Sequence, residues 1–145
     1  MQRDNDIHLK QEYGDLILIK AVGFSMWPFL KTGERVVVKK VAAGSLRVGD
    51  IILYRAENQI VCHRLVKIIK NKGGCLLYAR GDNNLSSGEP VAEELLVGKV
   101  TGVLRNGHII SLAGRRSNFV NQLIVVVGPL FGIGSRIIKR ALHKT

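Results

Sequence analysis

A series of short apolar and β-branched runs, separated by turn residues, constrains the fold of this chain most strongly. About seven or eight such runs precede residue 117, and this part of the chain shows hardly any helical periodicity. Glycine, asparagine and aspartate between the runs favour tight turns. Short strands at close spacing are typical of a compact, mostly β domain of rolled or barrel type. The clearest runs are 16–22, 35–40, 51–55, 60–69, 75–80, 95–104 and 108–112.

The length of 145 residues fits one domain, which can bury an ordinary core without disulfides or metal. Cys62 and Cys75 have neither the number nor the spacing of a disulfide framework or a zinc site, so we expect free thiols, no metal and no cofactor. Three parts are predicted: a flexible N-terminus at 1–14, a β domain at 15–114 and an apolar, basic tail at 115–145.

The net charge of +11 is unevenly distributed along the chain. Residues 115–145 contain six basic residues and no acidic one, so more than half of the excess charge lies there. The uncharged run 117–135 is followed by a basic segment with apolar residues at helical spacing. An apolar run with basic flanks is typical of a segment that lies in a membrane interface or marginally spans it. The alternative is a C-terminal helix that packs on the β domain.

Charge also bears on location and on other partners. The first twenty residues are too charged to contain a secretory apolar core or a membrane span. We therefore expect a cytoplasmic protein that associates with the cytoplasmic face of a membrane through residues 117–145. A membrane protein with a C-terminal span is the alternative. Nucleic acid is not an expected partner, because the β domain has few aromatic residues for base stacking.

A candidate nucleophile follows the first predicted strand, in the segment Gly23-Phe24-Ser25-Met26-Trp27-Pro28. Ser25 has a glycine two residues before it and a proline three residues after it, which favours a short constrained turn. Such a turn can expose a nucleophile. The alternative is a serine that only hydrogen-bonds its own backbone.

A serine hydroxyl needs a neighbouring base to take its proton. His63, in the run 60–69, and Lys39 or Lys40 are the usable candidates. A carboxylate on one ring nitrogen would fix the tautomer of a histidine base and stabilise its protonated form. Asp82, in Gly81-Asp82-Asn83-Asn84, is a candidate for that role, and the alternative is that it only stabilises a turn.

Taken in order, these segments resemble the signal peptidase I and SOS-repressor superfamily of serine peptidases. The resemblance covers about residues 16–112, and several boxes in the right order make it specific where each alone is weak. The matching segments are Gly23-Phe24-Ser25-Met26-Trp27-Pro28 (the G-x-S-M-x-P nucleophile box), Leu46-Arg47-Val48-Gly49-Asp50-Ile51-Ile52 ("GDI"), Cys62-His63-Arg64-Leu65-Val66 ("HRV"), Gly81-Asp82-Asn83-Asn84 ("GDNN") and Gly98-Lys99-Val100.

The resemblance implies a serine endopeptidase with Ser25 as nucleophile and His63 as general base, on a coiled, mostly antiparallel β fold. Because it has histidine in the base position, the chain resembles the archaeal, endoplasmic reticulum and sporulation-type branch. That branch usually carries a second acid shortly beyond the GDNN aspartate, and Ser87-Gly88 occupies this place with Glu89 close by. Either Asp82 or Glu89 orients His63, or the residues work as a dyad.

The substrate implied is a peptide or precursor protein. Phe24, Met26, Trp27 and Phe29 would form an apolar surface that receives small apolar residues of an extended peptide. Core packing is the alternative for Met26 and Trp27, although an exposed Trp27 would favour a peptide or membrane contact. The alternative function is a non-catalytic peptide-binding or regulatory domain on the same fold.

Overall fold

The apolar runs form strands of one curled antiparallel sheet. The computed structural model describes residues 11–112, and the strands there are joined into a nine-stranded sheet. They are β1 (Gln11–Tyr13), β2 (Leu16–Lys20), β3 (Arg35–Lys39), β4 (Ile51–Ala56), β5 (Gln59–Asn71), β6 (Gly74–Arg80), β7 (Glu89–Ala92), β8 (Leu96–Arg105) and β9 (His108–Ser111).

The strand order across the sheet is β1-β2-β3-β8-β4-β5-β6-β7, with β9 paired to β8. Every pairing is antiparallel. The sheet curls into a half-barrel, which confirms the mostly β, rolled architecture predicted from the sequence. Among the described residues, the other regular elements are two short 3-10 turns at Ala43–Ser45 and Glu93–Leu95.

Strand β4 is central because both of its faces are buried. Ile51 and Leu53 belong to a first core with residues of β2, β3 and β8, whereas Ile52 and Tyr54 belong to a second core with residues of β5, β6 and β7. Successive side chains of a strand point to opposite faces, so one short strand joins the two cores. This explains why the first four residues of β4, Ile51 to Tyr54, are all apolar or aromatic instead of alternating with polar residues.

Two edge strands, β1 and β7, are not among the apolar runs identified in the sequence. β1 lies within the segment 1–14 and pairs with β2, and β7 follows the loop after β6 and pairs with β6. Both strands are short and polar, and β7 contains Pro90, which an edge strand tolerates. Because both edge strands are short and polar, their sequences show little apolar periodicity.

The predicted tail at 115–145 lies outside the described residues, as do the first ten residues of the predicted N-terminal segment. Within 11–112 there is no helix with the length and apolar character needed to cross a membrane.

Candidate active site

Ser25 lies on the loop that connects β2 to β3, and its side chain is exposed. The base of the loop extends the β2–β3 ladder, since Ala21 N–H donates to the Glu34 carbonyl at 2.7 Å. At the loop tip, Trp27 N–H donates to the Phe24 carbonyl at 3.1 Å and closes a turn around Ser25. The predicted constrained turn is therefore present, with the serine at its surface.

The loop 81–84, the GDNN segment, supports the Ser25 turn from behind. Asn83 N–H donates to the Ser25 carbonyl at 2.8 Å. A Cβ atom at Gly81 would lie 2.7 Å from the Ser25 carbonyl oxygen and 2.9 Å from its Cβ. Only glycine allows this close approach between the two loops.

The Asp82 carboxylate binds Arg64. One carboxylate oxygen accepts from Arg64 Nε and the other from Nη2, each at 2.7 Å, and both side chains are buried. Arg64 also donates through Nη1 to the Gly49 carbonyl at 2.9 Å, and its guanidinium lies 4.7 Å from the Phe29 ring centroid. Both Asp82 oxygens are thus engaged by Arg64. Asp82 therefore acts on His63 only through space, and its negative charge acts to raise the pKa of the His63 ring.

His63 lies on β5, and the carboxylate that contacts its ring is that of Glu89. His63 Nδ1 is 3.1 Å from Glu89 Oε1 and 3.0 Å from the Tyr54 hydroxyl oxygen. The Tyr54 hydroxyl in turn donates to the same Oε1 of Glu89. Gly88, whose φ of +100° favours glycine, turns the chain just before Glu89 enters β7. Of the two acids that the sequence left open, Glu89 is therefore the one in hydrogen-bond contact with the ring.

Burial sets the protonation state of this cluster. The His63 side chain is 15% exposed, and its desolvation lowers the ring pKa below the ordinary value, although the charges of Glu89 and Asp82 act in the opposite direction. Burial therefore favours the neutral ring, which is the state that a general base requires. Burial, together with the contact to Glu89, raises the pKa of Tyr54, so its hydroxyl keeps its proton and acts as a donor.

Ser25, His63 and Glu89 line one cleft with a volume of about 370 Å³. The other lining residues are mostly apolar, among them Ile19, Val36, Leu53, Ile60 and Cys62, while Lys20 and Gln59 contribute polar surface. Both cysteines are free, and burial raises the pKa of the Cys62 thiol to about 12. The thiol is therefore protonated at pH 7 and is a poor nucleophile. Among residues 11–112, no three His, Cys, Asp or Glu side chains are grouped as in a metal site.

The four residues predicted to contact substrate occupy different environments. Phe24 is 63% exposed and lines the cleft. Met26 also lines the cleft, while most of its surface is buried in the first core. Trp27 is exposed on the same turn, whereas Phe29 packs against the first core and the Arg64 guanidinium.

Tyr54 is the site residue that the sequence did not reveal. It stands at the end of an apolar run, where an aromatic residue is ordinarily part of a core. The signal that could have found it is strand register. Ile52 pairs with His63, so Tyr54, two residues further along β4, lies on the same face of the sheet as His63.

Comparison with known proteins shows a partial relationship. No family model matches the chain. The chain is 35% identical over 81 residues to signal peptidase I W of Bacillus subtilis (strain 168), and the matched region is 54% of this chain and 43% of that protein. The match thus spans less than half the length of this relative. It supports a signal peptidase I-like relationship at the family level.

Proposed function

We propose that this chain is a serine endopeptidase of the signal peptidase type, which cleaves a peptide bond in a precursor or membrane-associated protein. The observation that carries the proposal is that one cleft contains exposed Ser25 and mostly buried His63, whose Nδ1 contacts the Glu89 carboxylate. The partial similarity to a signal peptidase I supports the same class of reaction. With His63 as the base, the proposed enzyme would belong to the Ser-His branch.

In the proposed reaction, the Ser25 hydroxyl oxygen attacks the carbonyl carbon of the scissile bond, and His63 takes the hydroxyl proton. The tetrahedral intermediate then expels the amine, which receives that proton from His63, and an acyl-enzyme ester on Ser25 remains. Water hydrolyses the ester with His63 again acting as base. Backbone N–H groups around Ser25 would stabilise the oxyanion, and one such donor is worth about 10²–10³ in rate.

Glu89 has the orienting role in this proposal. When its carboxylate accepts the Nδ1 proton of His63, the lone pair of Nε2 is left to act as the base. The carboxylate also stabilises the ring once it has become positively charged. Asp82 serves the site differently, because its ion pair with Arg64 holds the loop 81–84 against the Ser25 turn.

The substrate in this proposal is an extended peptide whose small apolar side chains enter the cleft. The cleft volume is at the lower end of the range for ligand pockets, and the aliphatic side chains in its wall suit small apolar groups. Phe24 and Met26 would contact the peptide directly, with Trp27 at the rim of the same turn. Residues 115–145 would bring the enzyme to a membrane surface through their basic and apolar side chains.

The test is covalent labelling by a serine-directed phosphonate or β-lactam, followed by intact-mass spectrometry and peptide mapping. We expect one adduct, located on Ser25, and its loss in Ser25→Ala and His63→Ala proteins. The matched controls are Ser45→Ala, whose exposed hydroxyl only bonds the Ala42 carbonyl, and His108→Ala on exposed β9. Both controls should label like the wild type.

Absence of an adduct on folded wild-type protein would contradict the peptidase proposal. The alternative of a non-catalytic peptide-binding domain would then become the better explanation. Labelling that persists in the Ser25→Ala protein would also contradict the proposal, because it would place the reactive group elsewhere.

A further inference from the structure

We propose that Tyr54 is a positioning residue of this site, whose hydroxyl holds the Glu89 carboxylate against His63. The inference rests on the proposed peptidase function and deepens it. It concerns a side chain that acts through Glu89 and does not itself touch the substrate.

Glu89 on its own is poorly suited to orient a histidine. Its side chain is 55% exposed, and it is the first residue of the short edge strand β7. A glutamate has several rotatable bonds, and an exposed carboxylate has many alternative partners in water. A second contact must therefore select the conformation in which Oε1 meets His63.

Tyr54 provides that contact from a rigid position. It is 2% exposed, and its ring lies in the second core together with Leu65, Leu77 and Val91. A tyrosine ring has only two side-chain torsions, and the surrounding core fixes both. The core thereby fixes the position of the Tyr54 hydroxyl, and the hydroxyl in turn fixes the position of the Glu89 carboxylate.

The hydrogen bonds around Glu89 Oε1 are directional. The Tyr54 hydroxyl donates to Oε1, and His63 Nδ1 lies 3.1 Å from the same oxygen. Because its own proton goes to Oε1, the Tyr54 oxygen, 3.0 Å from Nδ1, can only accept a hydrogen bond from the ring. Both acceptors near Nδ1 favour a proton on that nitrogen, so Nε2 is left unprotonated. Without the hydroxyl, the ring would be free to populate the opposite tautomer.

The test compares the wild type with Tyr54→Phe, which removes one oxygen atom and retains the ring. The matched control is Tyr78→Phe on β6, where Lys67 lies over the ring. For Tyr54→Phe we expect acylation of Ser25 at saturating inhibitor to slow about 10- to 100-fold, by analogy with outer partners of metal-bound histidines. The half-saturating inhibitor concentration should stay unchanged, and Tyr78→Phe should behave as wild type.

A double-mutant cycle with Glu89→Gln separates positioning from general structural support. If Tyr54 acts through Glu89, the Tyr54→Phe change should slow acylation less than about 2-fold in the Glu89→Gln background. The same 10- to 100-fold loss in both backgrounds would overturn the inference. Replacement of Tyr54 by 3-fluorotyrosine retains the hydroxyl and should preserve most of the rate. It also keeps the inference testable if the phenylalanine variant folds poorly.

A measurement independent of catalysis distinguishes failure of this inference from failure of the proposed function. Nitrogen-15 NMR of histidine-labelled protein reports the tautomer of His63 directly. We expect a proton on Nδ1 in the wild type and a mixture of tautomers in Tyr54→Phe. An unchanged tautomer would overturn the inference even if Ser25 is reactive. An unreactive wild type with the expected change in tautomer would contradict only the peptidase proposal.

Discussion

The pKa of His63 determines the pH range in which the proposed base can act. Burial lowers the pKa of the ring below its usual value of about 6.5. Acylation of Ser25 should therefore be constant near neutral pH and should fall only as the pH drops below that value and the ring becomes protonated. Inhibitor acylation rates measured between about pH 5 and pH 8 test this expectation. A rate that already declines above about pH 6.5 would contradict it.

The variant Glu89→Gln should move this profile in a predictable direction. The charge of Glu89 acts to raise the pKa of His63, so its removal should lower that pKa further. The acid limb of the rate profile should then shift to lower pH, while the rate at neutral pH falls because the ring is no longer oriented. A shift of the limb to higher pH would contradict the role given to Glu89. Glu57→Gln, an exposed glutamate in the β4–β5 turn, is the control.

A substitution at Gly81 tests the contact between the loop 81–84 and the Ser25 turn by adding one carbon atom. In Gly81→Ala, the new Cβ atom would lie 2.7 Å from the Ser25 carbonyl oxygen, so the nucleophile turn must shift. A displacement of about 1 Å can cost about 10²-fold in rate. We expect a loss of about 10- to 100-fold in acylation rate with the sheet intact by circular dichroism. Gly44→Ala is the control, because nothing lies within 4 Å of a Cβ atom there, and an equal rate in both variants would exclude this contact as important.

At the scale of secondary-structure elements, the Arg64–Asp82 ion pair connects β5 to the loop 81–84. Arg64 is 1% exposed, and both oxygens of its partner are engaged. Asp82→Ala leaves a buried, uncompensated guanidinium, which should lower the free energy of unfolding by about 3–5 kcal/mol. Urea titration measures the difference.

The matched control for this ion pair is the contact between Arg105 and Glu34. Arg105 Nε donates to Glu34 at 2.6 Å, but the arginine side chain is 39% exposed, so solvent screens the pair. Glu34→Ala should therefore cost only about 1 kcal/mol. Equal losses of unfolding free energy for Asp82→Ala and Glu34→Ala would show that burial does not strengthen the Arg64–Asp82 pair.

The elements also show which parts of the site were predictable. The turn at Ser25 and the strand of His63 follow from local patterns of glycine, proline and apolar residues, and the structure contains both. The choice between Asp82 and Glu89 depends on contacts between distant segments: Arg64 engages Asp82, and the pairing of Ala79 with Glu89 fixes the position of β7. No local pattern encodes those pairings, so the sequence left both acids open.

At the scale of the whole molecule, curling of the sheet brings the site together. Ser25 comes from the β2–β3 loop, His63 from β5 and Glu89 from the edge strand β7, and all three line one cleft. The alternation of side chains along β5 puts Val61, His63 and Leu65 on one face. The division of the β4 side chains between two cores becomes visible only once the strand order is known.

The charge distribution leads to a prediction about the whole chain. Residues 115–145 carry six of the basic residues and no acidic residue, so they should bind anionic membranes through electrostatic attraction. Each basic residue near such a surface contributes about 1 kcal/mol. The triple change Arg136→Gln, Lys139→Gln and Arg140→Gln should therefore weaken binding to phosphatidylserine-containing vesicles roughly 100-fold. Flotation of the full chain with vesicles measures this binding.

A control with the same change in net charge distinguishes the tail from the charge of the whole protein. Three exposed basic residues of the β domain, replaced together by glutamine, should leave vesicle binding within about 3-fold of wild type, because screening confines the attraction to about 8 Å at physiological salt. They are Lys31, Arg55 and Lys72. An equal loss of binding in the two triple variants would show that net charge, and not the tail, governs association. Binding that is insensitive to both variants and to added salt would instead leave apolar insertion as the explanation, and the electrostatic prediction would be wrong.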